Sequence, residues 1–140
     1  MRYKPFIVLF LTIFFLKIAG GQQYNRDSVS RLVDGIRKTS VDTGHIRQLR
    51  DLGYDIGEND SLLSKQLLTE ALKKSISIKD AAAITNSYRM LGLWYSGVAD
   101  RDKALEYYQA SLQTAKRSDL LYLAAGAYFN IAVLDRKSVV

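Results

Sequence analysis

An internal offset of about 40 residues, at which small and large side chains recur, limits this chain more than any other feature. Ser64 and Ala104 stand 40 positions apart, as do Leu68 and Tyr108, and Ala71 and Ser111. Leu52-Gly53, Leu91-Gly92 and Ile131-Ala132 continue the series at offsets of 39 and 40. Self-similarity at such a period means that one supersecondary unit is reused, each copy burying its apolar face on the next. The unit is helical, so the chain is expected to be all-α. In one copy Ile84, Tyr88, Leu91, Gly92 and Tyr95 fall on one helix face. A break at Gly97 to Asp100 follows, and Ala104, Leu105, Tyr108, Ser111, Leu112 and Ala115 make a second stripe. Gly in a helix interior costs about 1 kcal/mol relative to Ala. Its use at position 92 is therefore to let a neighbouring helix come close; Ala104 and Ser111 are similarly small, and Tyr88 and Tyr108 are the bulky side chains expected to pack beside such residues.

The preceding copy reads the same way with weaker residues. Ile46, Leu49, Leu52, Gly53 and Ile56 form its first stripe, with Asp42 or Thr43 as the cap. After a break at Gly57 to Asp60, Leu63, Ser64, Leu67, Leu68, Ala71, Leu72 and Ile76 form its second. Lys79-Asp80 and Ser118-Asp119 are read as equivalent turns, each Asp capping the next helix. A third copy supplies only a first helix, Tyr122 to Arg136, before Lys137-Ser138-Val139-Val140. An array of this kind needs a polar terminal unit, so a fragment of a longer protein is expected. Ahead of the copies, Val29, Leu32, Val33 and Ile36 mark an amphipathic helix from Asp27 to Lys38, capped by Asp27 or Ser28. The expected divisions are 1–21, 22–41, 42–79, 80–118 and an incomplete 119–140.

Residues 1–21 have the form of a secretory signal. Arg2 and Lys4 precede an apolar run of eleven residues, Phe6 to Leu16, and Ala19-Gly20-Gly21 makes a small-residue cleavage site. A membrane-spanning helix needs about 20 apolar residues. The expected location is therefore outside the cytoplasm, in a bacterial periplasm or cell envelope. A membrane association is expected only through an uncleaved leader or a missing downstream region. The chain has no Cys, so disulfides are excluded and helix packing must supply the stability.

The formal charge of +6 does not point to nucleic acid. Arg2, Lys4 and Lys17 lie in the leader, and removing those 3 from 20 basic residues leaves 17 against 14 acidic ones. That is a mixed surface and not a phosphate-binding stripe. The chemistry of a catalyst is absent too. His45 is the only histidine, which removes paired-His metal sites, and the missing cysteines remove thiolate ligands and nucleophiles. His45 itself is read as a helix-start residue beside Gly44. No glycine-rich phosphate loop or nucleophile elbow accompanies it. Asn59-Asp60-Ser61 matches a glycosylation sequon and is read as the cap of the helix after it. Tyr88, Tyr95, Tyr107, Tyr108, Tyr122 and Tyr128 are read as core and interface residues. No metal, cofactor or enzymatic activity is expected.

Tyr88-x2-Leu91-Gly92-x2-Tyr95, followed by Ala104, Tyr108 and Ser111, resembles the tetratricopeptide repeat, with Tyr88 for the usual Trp and Ser111 for the second Ala. Ala99 stands where that family often has a turn Gly, and Lys116 where it often has Pro. The 40-residue spacing is similar to that of long-period exported bacterial members. The resemblance implies a solenoid of antiparallel helix pairs that binds a protein or peptide without catalysis. It also implies a groove lined from successive first helices. Carried onto this sequence, the groove comprises Arg47, Arg50 and Tyr54, then Asn86, Arg89 and Leu93, then Phe129, Asn130 and Val133. Three arginines there favour an acidic peptide or a free carboxylate. The alternative implied by the same resemblance is the sensory ectodomain of a membrane signalling protein, such as a histidine kinase or transcriptional regulator.

Overall fold

The structure is a computed structural model, and residues 25–136 are described. The leader at 1–21 and the tail at 137–140 lie outside them. Among the described residues there are six helices and no strand: α1 (Arg26–Arg37), α2 (Thr43–Asp55), α3 (Ser61–Ser77), α4 (Ala81–Gly97), α5 (Arg101–Arg117) and α6 (Leu121–Arg136). None of these is long and apolar enough to cross a membrane.

Short polar side chains start the helices. Asp42, Asp60, Asp80 and Asp100 accept from the backbone N–H groups of His45, Leu63, Ala83 and Lys103, at 2.8, 3.0, 2.9 and 3.2 Å. Each satisfies one of the donors that a helix N-terminus leaves without a partner. The α1 cap is Asn25, whose Oδ1 takes the Ser28 N–H at 3.1 Å, and not Asp27 or Ser28. Asp27 lies in the first turn instead, where a negative charge suits the helix dipole.

Three helices end alike. Lys79, Ala99 and Asp119 take positive φ angles of 56°, 60° and 54° after α3, α4 and α5. The next N–H, from Asp80, Asp100 and Leu120, reaches back to Ser75, Tyr95 and Ala115. This is the Schellman termination, which normally uses Gly because a Cβ disfavours that conformation. Asp119 therefore does not cap α6 as expected. It occupies the left-handed turn position, and Leu120 stands where Asp80 stands one copy earlier.

Sequential helices pack on one another, and α4 also touches α2 and α6. With neighbours on several sides, α4 buries Ala83, Thr85, Ser87, Leu91, Gly92 and Tyr95, while Ile84 and Tyr88 are half-buried. Gly92 lies against the Tyr108 ring so closely that a Cβ there would stand 2.5 Å from Cδ1. Gly53 stands against Leu68 in the same manner, with 3.2 Å for the same test. On α3 the expected stripe holds except at its end, where Ser75 is buried and Ile76 is exposed. Ser75 turns its hydroxyl onto Leu72 O at 2.7 Å, which lets a polar residue lie inside. Side chains also join the helices at a distance in sequence. Arg37 donates to Glu70 at 2.7 Å, Thr43 to Asp80 at 2.8 Å, Arg101 to Asp135 at 3.2 Å, and Ser111 to Thr85 O at 2.9 Å. The Ala83 N–H and the Thr43 hydroxyl hold the Asp80 carboxyl below its usual range.

One core gathers Val29, Val33 and Ile36 of α1 with Ile46, Leu49 and Leu52 of α2 and Leu67 of α3. His45 lies at its edge and is 2% exposed, so it is an interior residue rather than a surface helix start. The Thr39 hydroxyl donates to Ile36 O at 2.7 Å and lies 3.0 Å from His45 Nδ1. Its hydrogen being used, Nδ1 is the donor of that pair, and Nε2 is buried with no partner. Burial first, and Lys74 second, hold the imidazole below its ordinary pKa, against smaller opposing effects of Glu70 and Asp42. The folded protein thus prefers neutral His45. As pH falls through the unfolded value near 6.5, the unfolded chain takes up the proton first and stability drops. Urea midpoints are expected to fall between about pH 7.5 and 5.5, and less steeply in His45→Asn. Equal slopes would contradict this assignment.

Candidate functional site

The end of α2, the turn after it, the first half of α3 and the last two turns of α4 border a half-open cavity of about 550 Å³. That volume falls within the roughly 300–1,000 Å³ range of small-ligand pockets. Its position follows from the local sequence. Five residues, Ile56 to Asp60, join α2 to α3, against three at each later connection. The indole of Trp94 then reaches back from α4, donating Nε1–H to Ser61 O at 3.2 Å. Trp94 thus reaches the preceding helix pair while also packing against the core cluster of Tyr95, Ala104, Tyr108 and Leu134. Lys65 Nζ sits 5.1 Å from the Trp94 and Tyr95 ring centroids, a cation–π arrangement that fixes the aromatic wall.

Leu68, Met90, Leu93, Trp94 and Val98 give the cavity its apolar lining, and Tyr54 stands at one side with 57% of its surface exposed. The charged residues in the lining are Asp55 and Glu58, and no Lys or Arg is among them. Ser64 also lines it. That residue is 1% exposed and its hydroxyl has no hydrogen-bond partner. The site is thus an apolar slot with an acidic edge in a chain of net positive charge. Among the described residues no group of three His, Asp or Glu side chains is placed to hold a metal ion.

Two of the nine residues expected in a groove, Tyr54 and Leu93, meet in this cavity. The arginines do not line it. Arg47 is exposed, Arg50 turns onto Asp51 at 2.9 Å with only 14% of its side chain exposed, and Arg89 lies near Tyr108. Asn86 donates to Ala82 O at 3.0 Å within its own helix. Phe129 is 67% exposed, Val133 is half-buried, and the Asn130 amide nitrogen is buried without a partner. Val98 and Glu58 were missed by sequence reasoning, because a helix-face argument covers first helices and not the turns beyond their ends, and Met90, inside α4 next to Arg89, lies outside the expected groove face.

Tyr88, Tyr95 and Tyr107 form a ladder beside the cavity, with Tyr95 and Tyr107 stacked at 5.2 Å and 11°. Burial and the neighbouring Tyr95 raise the Tyr107 pKa. Tyr122 and Tyr128 depart from their expected core role and are 89% and 54% exposed. They lie on the outer face of α6, where no described element covers them. No protein-family model, curated protein or solved structure matches this chain.

Proposed function

We propose that this chain is a non-catalytic, tetratricopeptide-like helical-repeat scaffold that binds an extended protein segment in the α2–α3/α4 slot. The observation that carries the reading is the slot itself. It offers apolar walls of Leu68, Leu93 and Trp94 to a side chain, and the exposed carboxylate of Glu58 to a flanking basic residue. Close Gly–aromatic and Gly–Leu approaches at offsets of 39 and 40 residues support the solenoid, since Gly53–Leu68 and Gly92–Tyr108 repeat one packing device. The slot is a better place for the ligand than the arginine set, because Arg50 is already engaged by Asp51. An apolar residue next to Lys or Arg is therefore the expected recognition unit, in place of an acidic peptide. Export to a bacterial envelope is part of the proposal and rests on the N-terminal pattern at 1–21.

The test is selection from a random dodecapeptide display library on the immobilised protein. Enriched peptides should carry a large apolar residue beside a basic one. Their affinity should fall at least about tenfold, or 1.4 kcal/mol, on Leu93→Asp. The exposed change Glu58→Lys should weaken them without affecting the fold. Peptides that bind both variants as they bind wild type would refute the slot.

A further inference from the structure

The outer face of α6 carries a surface that the slot does not use. Its exposed residues are Leu121, Tyr122, Ala125, Tyr128, Phe129, Ala132, Asp135 and Arg136. Four are large and strongly exposed: Leu121 at 79%, Tyr122 at 89%, Tyr128 at 54% and Phe129 at 67%. At 3.6 residues per turn these eight positions form one stripe. Their spacing is a heptad: 121, 128 and 135 make one row, 122, 129 and 136 a second, and 125 with 132 the line between them. A stripe with this period is the seam of paired helices, in which side chains of one helix fill spaces on the other. Ala125 and Ala132 lie along its centre, where small side chains let two helix backbones approach.

We infer that this seam pairs with the same seam of a second copy, α6 against α6 in antiparallel orientation. The stripe is self-complementary in position. Reversing it about the point between Tyr128 and Phe129 exchanges 121 with 136, 122 with 135, and 125 with 132. Every stripe residue then meets a stripe residue of the other copy. Ala faces Ala, Tyr128 faces Phe129, and the Arg136 stem lies over Leu121, as an isologous two-fold contact requires. A parallel pairing would instead set Arg136 against Arg136. Burying three aromatics and one Leu at these exposures removes on the order of 500 Å² per copy. The total near 1,000 Å² stands at the lower bound for a specific interface, so the dimer is weak and concentration-dependent. This contact is independent of the slot, which lies at α2, α3 and the end of α4.

Sedimentation of the full chain from about 5 to 200 µM, the range a weak interface samples, tests the pairing. Wild type should pass from one to two chain masses across that range. Phe129→Glu should remain at one mass with an unchanged thermal midpoint, because the residue is exposed. The chain has no native Cys, which permits a second readout. Oxidising a mixture of Ala125→Cys and Ala132→Cys chains should give the disulfide-linked heterodimer, with little product from either alone. A monomeric wild type at the top concentration, a dimer that survives Phe129→Glu, or an Ala125→Cys chain linked chiefly to itself would each overturn the inference.

Discussion

Tyr108→Ala is expected to destabilise the protein by about 3–5 kcal/mol, the range for removing a buried aromatic ring. Tyr108 is 2% exposed and lies at the centre of the α4–α5 contact, with its ring against Gly92. It is joined there by Tyr95, Ala104 and Leu134. Truncation empties the space over a residue that has no side chain, so α4 has nothing at Gly92 with which to fill it. Burial raises the pKa of the phenol, against a smaller opposing effect of the Ser96 side chain. For a chain of this size the thermal midpoint should fall by roughly 10–20 °C. A shift under about 2 °C would mean that α4 and α5 do not meet through this ring.

Gly92 should show an effect whose sign depends on Tyr108. Gly92→Leu overpacks the contact and is expected to cost about 1–3 kcal/mol. Gly92→Ala is the sharper probe. Helix propensity alone favours Ala over Gly by about 1 kcal/mol, yet its Cβ would stand 2.5 and 2.6 Å from Tyr108 Cδ1 and Cε1. The ring is buried and has no room to retreat, so the clash outweighs the propensity and the substitution destabilises. With Tyr108→Ala already present the obstacle is gone, and the same change should stabilise. A double-mutant cycle by urea unfolding measures the coupling. Gly53→Ala offers a milder comparison, because its nearest atoms belong to Leu67 and Leu68 at 3.2 Å. Additivity between Gly92→Ala and Tyr108→Ala would contradict the packing described.

The helices and a close helix approach at Gly92 were legible in the sequence because both leave periodic traces, whereas the ring that meets Gly92, Tyr108, is named only by the structure. A helix repeats its buried face every 3.6 residues, and a glycine in that face has few uses besides close approach. What escaped was local. Asp119 resembles a cap by residue type, but the turn after α5 needs a left-handed residue two positions before the next helix begins. No pattern of apolar spacing records that register. Ser75 took the interior place expected of Ile76 because a hydroxyl bonded to its own helix is cheap to bury. Tyr128 read as core because it stands 40 positions after Tyr88, which is half-buried beside Tyr107 of α5, whereas no described helix lies against α6 on that side. The groove reading located Tyr54 and Leu93 but not the slot between them. That slot depends on the Ile56–Asp60 connection and on Trp94 folding back to Ser61. Both are tertiary facts that helix periodicity does not carry.

Trp94 is the only tryptophan of the chain and forms one wall of the slot. Its emission therefore reports directly on the central claim that an extended segment binds there. A library-selected peptide free of tryptophan, titrated onto the full chain, should change Trp94 emission saturably, with the midpoint given by calorimetry on the same sample. Calorimetric binding that leaves the emission unchanged, or a peptide that binds Leu93→Asp as tightly as wild type, would contradict it.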